Sequence, residues 1–217
     1  MKTTDLKSIL TFFILIIIGV LVALAGSQGS TQVAGIPLFA LLVGLAFLVQ
    51  WLVFIPAYLR QTEHFFDLTG SITYITLTTL ALVLTSAADS RAMLLWALVA
   101  IWAGRLGTFL FGRVRKAGRD DRFDDIKPSF IRFLNVWTIQ GLWVTFTAAA
   151  AWIGIEHQLH GPNLTYTTAC SSSAVAIGEG WLRVGRGELD LAIVGGAEAP
   201  LSFGSLKAWE ALHTLAS

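Results

Sequence analysis

Apolar residues in this chain come in long blocks separated by short polar punctuation, and the blocks set the first expectations. A helix needs about 20 consecutive apolar residues to cross the hydrocarbon core of a bilayer. Five stretches meet that length: Ile9–Gly26, Ile36–Tyr58, Ser71–Ala87, Ala92–Gly112 and Phe133–Ile155. The third is rich in threonine (Thr73, Thr76, Thr78, Thr79, Thr85). Threonine hydroxyls bond back to the preceding helical turn, so these residues are compatible with a span. Beyond Ile153 the pattern changes. Gly161-Pro162-Asn163 is a turn signal, and Leu164–Thr168 is a short β-prone run. Ser171–Val184 carries Ala174, Ile177, Trp181 and Val184 at helical spacing. Leu189–Val194 reads as a buried strand and Ser205–Leu215 as a further short helix. The expected architecture is mainly α: a bundle of about five transmembrane helices, then a short α/β fragment.

Composition sharpens that picture. Of the 217 residues, 55% are hydrophobic and 13% charged, whereas soluble domains average about 25% charged. Residues 1–155 hold 12 Lys/Arg and 8 Asp/Glu, and residues 156–217 hold 3 and 6. Seven of those cations fall in Arg113–Arg132. Basic loops stay in the cytoplasm. The N-terminus, the Leu59–Gly70 loop and the Arg113–Arg132 loop are therefore expected on the cytoplasmic side of the membrane. Five spans then carry the segment after Ile155 to the opposite face. Lys2 and Lys7 before the first run, and Ala23-Leu24-Ala25 at its end, fit either a retained anchor or a cleaved signal. The lipid bilayer is the expected partner. Nucleic acid is not, because the basic loop also holds four Asp and lies between apolar spans. One cysteine, Cys170, excludes an internal disulfide, and no Cys/His cluster has metal-ligand spacing.

Several polar positions have two readings. Glu63 and Asp67, with His64 beside them, read as solvated loop charges. Arg105 lies inside the fourth span, which marks either a functional charge or a side chain that snorkels to the nearby interface. Arg119, Asp120, Asp121 and Arg122 are either mutually paired or, for the arginines, a phosphate site. Trp51, Trp96, Trp102, Trp137, Trp143 and Trp152 read mostly as interface anchors or lipid-facing bulk. Cys170 stands where a β-prone run turns into a helix. Unpaired N–H groups there stabilise a thiolate and can hold an oxyanion. The alternative is a small buried hydrophobe.

Two stretches carry a resemblance. One is Gln61-Thr62-Glu63-His64-Phe65-Phe66-Asp67-Leu68-Thr69-Gly70. The other is Gly118–Pro128 followed by Asn135-Val136-Trp137-Thr138-Ile139-Gln140-Gly141-Leu142-Trp143. Together, over roughly residues 5–150, they resemble the uncharacterised bacterial branch of the steroid 5-alpha-reductase-like integral membrane family. That resemblance implies NADPH-dependent reduction of a carbon–carbon double bond in a lipid-like substrate. It makes Glu63 and Tyr74 candidates to meet the substrate carbonyl, the carboxyl as a buried hydrogen-bond donor. The family's Arg-His-Pro-Asn-Tyr-type cofactor segment has no counterpart in this sequence.

Gly161–Cys170, Ser171–Glu179 and Asp190–Pro200 resemble the active-site stretch of β-ketoacyl-acyl-carrier-protein synthases, which have a thiolase-type fold. The resemblance covers roughly residues 153–217. It implies that Cys170 accepts an acyl group as a thioester, with acyl carrier protein or another acyl-thioester as partner and no cofactor. It also calls for two histidines in later motifs, one of His-Gly-Thr-Gly-Thr type. His157, His160 and His213 stand in no such motif. The joint expectation is a chimera of a truncated reductase-like region, 1–152, and a truncated synthase-like fragment, 153–217, that does not complete the condensation alone; the alternatives are a partial NADPH-dependent membrane reductase and a membrane bundle without catalysis.

Overall fold

A computed structural model describes residues 3–85, 89–118, 123–157, 164, 166, 171–192 and 194–195. The chain divides into two compact units, Met1–Leu159 and His160–Ser217.

The first unit contains α1 (Thr3–Gly26), a short hairpin of β1 (Gln32–Val33) and β2 (Ile36–Pro37), α2 (Leu38–Leu59), α3 (Phe66–Leu84), α4 (Ser90–Ala117) and α5 (Phe130–Glu156). All five helices are long and apolar enough to cross a membrane, and the chain is a membrane protein on that ground. Half of the α5 span is buried against neighbours but only 6% of the α1 span. So α2, α3 and α5 form the interior, and α1 and α4 present most of their surface to lipid. Even so, α1 is docked on the bundle: Asn135 Nδ2 donates to the Ser8 carbonyl at 2.8 Å. Gly19 admits the Phe47 ring, whose Cζ would lie 2.7 Å from any added Cβ.

Threonine chemistry makes α3 a viable span. The Thr69, Thr73 and Thr79 hydroxyls each donate to the carbonyl four residues earlier at 2.7 Å. Lipid offers these groups no partner, so the helix supplies one. Three of the tryptophans obey the same rule, which corrects for them the expectation of interface anchors or lipid-facing bulk. Trp51 donates to Thr138 at 3.1 Å, Trp96 to Thr79 at 2.8 Å and Trp152 to Thr78 at 3.2 Å. Trp137 is fully buried, and of the six tryptophans in the five long helices Trp102 and Trp143 are exposed.

Several boundaries differ from the sequence expectation, α1 beginning at Thr3 and α5 at Phe130 among them. Helix α3 begins at Phe66 rather than Ser71 and takes Asp67 into its first turn, where the helix dipole favours an anion. Ile36 and Pro37 belong to the hairpin and not to α2. Its turn residues Ala34 and Gly35 both have positive φ, 51° and 80°, as a two-residue hairpin turn requires. Helix α4 runs on to Ala117, with Arg115 and Lys116 in its last turn and Gly118 capping it at φ 81°.

In the second unit, α6 (Ser172–Gly185) matches the expected helix within one residue, and Gly187 follows at φ 70°. The strand expected at Leu189–Val194 is not formed at its described residues, 189–192 and 194, which are irregular. A strand needs a neighbour to take its N–H and C=O groups, and the described residues of this unit supply none. Most of the Leu164–Thr168 run, the Gly161 turn and the Ser205–Leu215 helix lie outside the described residues. A thiolase-type α/β arrangement is therefore not seen among the described residues.

Candidate functional site: a buried ion pair at the basic end of the bundle

The connection from α2 to α3 is short and tightly bonded. Thr62 N donates to Ala57 O at 3.0 Å, and Phe66 N donates to Glu63 O at 2.8 Å. This geometry turns Glu63 inward. The residue is 3% exposed, which overturns its reading as a solvated loop charge. Its Oε2 accepts from Lys127 Nζ at 2.7 Å. Lys127 also reaches Asp124 Oδ1 at 3.2 Å. His64 is half-buried, with Nδ1 2.8 Å from Thr62 Oγ1.

Lys127 is placed by an aromatic anchor. Ile126 N and Lys127 N both donate to Phe123 O, at 3.0 and 2.9 Å. Phe123 is itself buried, with its ring 5.2 Å from Phe66 and 6.2 Å from Phe133. Trp137 lies edge-on to Phe66 at 5.0 Å. The loop 123–129 is thus held over the start of α3, with its ammonium against Glu63. Burial pushes the Lys127 pKa down, but the hydrogen bonds and charges of Glu63 and Asp124 outweigh it and leave the pKa above its ordinary 10.5.

Tyr74 sits deeper. From Phe66 to Tyr74 the helix rises about 12 Å. Its hydroxyl pairs with Thr147 of α5, and its ring meets Trp102 edge-on at 5.0 Å. Thr147 gives its own proton to the Trp143 carbonyl at 2.8 Å, so Tyr74 is the donor of the pair. Thr73, the residue before Tyr74, accepts from the fully buried Gln50 at 3.0 Å, whose Oε1 has no partner among the described residues. Gln140 Nε2 donates to Phe66 O at 3.0 Å.

The sequence-derived candidates therefore do not converge on one point. Glu63 lies at the loop end and Tyr74 within the span. Arg105 is exposed on α4, as a snorkelling side chain would be. Arg119, Arg122 and Cys170 lie outside the described residues. Sequence reasoning missed Lys127, Thr147 and Gln50. Lys127 stands inside the Gly118–Pro128 motif, but its partner is 64 positions away. A further buried acid closes the other end of α5. Glu156 Oε1 accepts from Ser30 Oγ at 2.6 Å and Thr31 N at 2.5 Å, and Phe39 N donates to Ser30 Oγ at 3.1 Å.

Comparison with known families bears on this arrangement directly. A family profile described as "Protein of unknown function (DUF1295)" matches residues 53–178. The chain belongs to the DUF1295 family. This is the steroid 5-alpha-reductase-like family, and its matched region takes in Glu63, Tyr74, Lys127 and Thr147 of the DUF1295 bundle, and runs into α6. A second similarity is shorter. The chain is 40% identical over 70 residues to nodulation protein E of Rhizobium leguminosarum bv. trifolii, covering 32% of this chain and 18% of that protein. It is 38% identical over 69 residues to 3-oxoacyl-[acyl-carrier-protein] synthase 2 of Rhizobium meliloti (strain 1021), covering 32% of this chain and 16% of that protein. The match thus spans less than a fifth of either relative. No solved structure matches the DUF1295 chain.

Proposed function

We propose that the bundle binds a lipid-like enone and reduces its carbon–carbon double bond, with NADPH as the reductant. The observation that carries this reading is the buried Glu63–Lys127 pair. An ionised carboxylate removed from water at a span end, with a half-buried ammonium against it, is expensive unless it serves a site, and perturbed charged groups concentrate at functional positions. The positive-inside orientation places this end in the cytoplasm, where NADPH is found. Exposed Arg60, Arg113, Arg115 and Lys116, with half-buried Arg132, lie on the connections and helix ends of that side. Their charge suits the phosphates of a dinucleotide. When bound, NADPH supplies a hydride.

The protein's own part is positioning and proton donation. With an ammonium at 2.7 Å, Glu63 is a hydrogen-bond acceptor, so Tyr74 is assigned as donor to the substrate carbonyl. Thr147 holds the Tyr74 hydroxyl until substrate replaces it. Glu63 holds Lys127, and through it the loop, at the cytoplasmic end. The test uses the purified protein in nanodiscs. Saturating NADPH at 100 times Kd should stabilise it by about 2.7 kcal/mol. Tyr74→Phe should keep that protection and lose about 10²-fold or more in enone turnover. Absence of both NADPH protection and turnover in the parent chain rejects the proposal.

A second reading has its own support. The identity to nodulation protein E and the synthase favours acyl transfer onto Cys170, and α6 begins two residues after it, at Ser172. Here a chimera is the natural description: a DUF1295 bundle carrying a synthase-like segment. The step proposed is thioester exchange, in which the Cys170 thiolate attacks an acyl-thioester and the donor thiol leaves. Condensation is not included, because the sequence lacks the histidine motifs that the resemblance calls for. Incubation with a radiolabelled acyl-thioester should label the chain, and Cys170→Ser should abolish the label. The same orientation carries Cys170 away from cytosolic acyl carrier protein, so an impermeant maleimide should reach this single thiol from outside the inner membrane. Labelling only after the membrane is opened would reverse the assignment of faces.

A further inference from the structure

On α6 the side that carries Glu179 and Arg183 is partly covered within its own unit. Arg183 lies 4.0 Å from Glu179 and 3.6 Å from Glu188, with its side chain one-third exposed. The adjacent Gly180 is buried, and an added Cβ there would come within 2.5 Å of Val194. The apolar side is open. Trp181 is 74% exposed and Ile177 55%, and Val184 completes the stripe at the i, i+4, i+7 spacing of one helix face.

We infer that α6 is an interfacial helix, lying in the plane of the bilayer surface with Ile177, Trp181 and Val184 in the headgroup–acyl boundary. The occupant of the exposed face is lipid because the chain tethers α6 to a membrane surface. Only residues 157–171 separate the end of α5, itself long and apolar enough to span, from the start of α6. Fully extended, 15 residues reach about 50 Å, so the helix samples the bilayer at high effective concentration. Exposed apolar surface so placed is removed from water by the interface at no further entropic cost of association. Tryptophan on the apolar side suits that depth. Glu179, Arg183, Arg186 and Glu188 sum to zero charge, so the attachment is apolar and does not depend on anionic lipid.

The experiment is a single-cysteine scan of the full chain in a Cys170→Ser background, reconstituted in nanodiscs of zwitterionic lipid. Ile177→Cys, Trp181→Cys, Val184→Cys, Glu179→Cys and Arg186→Cys are spin-labelled one at a time. Collision with oxygen, which partitions into lipid, is compared with collision with a water-soluble nickel chelate. The first three sites should favour oxygen and the last two nickel, with the same ratio after anionic lipid is added. Nickel access at Ile177, Trp181 and Val184 would overturn the inference by showing that the face is in water. Exclusion of both reagents would overturn it by showing that protein, from this chain or a second copy, covers the face. These sites are exposed or half-buried and belong to the second unit, so a wild-type melting profile for each variant confirms that the readout reports α6 alone.

Discussion

Replacing Lys127 with methionine is expected to cost about 3–5 kcal/mol of stability, the scale of breaking a buried ion pair by removing one partner. Glu63 is 3% exposed and has Lys127 Nζ at 2.7 Å. Methionine keeps the length and apolar stem of the side chain and removes only the charge and its hydrogen bonds. Glu63→Gln in the same chain should recover a large part of the loss, because it removes the charge that Lys127 balances. Unfolding in mixed micelles, followed by tryptophan fluorescence, gives the coupling as a double-mutant cycle. A Lys127→Met variant within about 0.5 kcal/mol of the parent would show that the pair contributes little.

The same pair predicts a pH dependence. The folded-state pKa of Lys127 is raised above 10.5. A raised cationic pKa means that the folded state holds the proton more tightly than the unfolded chain does. Its contribution is complete below the unfolded value and disappears as pH rises through the folded one. The loss therefore falls on the alkaline side, above about pH 10.5. Lys127→Arg should flatten the melting temperature across that window, since guanidinium stays protonated. An identical alkaline decline in both chains would assign it to other groups.

Trp137→Ala should be comparably severe, about 3–5 kcal/mol. The side chain is 0% exposed and meets Phe66 at 5.0 Å and Phe133 at 6.1 Å, both edge-on. Phe66 and Phe133 in turn hold Phe123, whose carbonyl fixes the Lys127 turn. Removing Trp137 should therefore also weaken the Lys127–Glu63 coupling, which a cycle among the three positions measures. Trp143→Ala is the control. It lies six residues further along α5 but is 55% exposed, and its loss should change stability by less than about 1 kcal/mol, since no packed neighbour is uncovered. Equal effects at the two positions would mean that α5 does not present the face assigned to it.

Much of this molecule is legible in its sequence. Block hydropathy places five spans, because the transfer free energy of about 20 apolar residues into lipid is a local sum. Thr-rich α3 is legible as a span because its hydroxyls find partners within their own helix. Helix α6 is legible from its period, and the Gln61–Gly70 and Asn135–Trp143 stretches point to the family that the 53–178 match identifies. The opposite faces of α5 were not legible. Trp137 and Trp143 are alike to any count of hydropathy, since a packed helix interior and lipid tails are both apolar. Nor was the site itself. Glu63 reads as a loop charge until residues 123–129 fold over it, and the partner that buries it comes from the far side of two spans. The strand expected at Leu189–Val194 failed for a related reason: alternation and β-propensity name a segment that can pair, but pairing needs a neighbour. Sequence determined which segments enter the membrane, because that is decided residue by residue against solvent. Tertiary structure decided which polar groups meet, because each such contact depends on where another helix brings its own side chains.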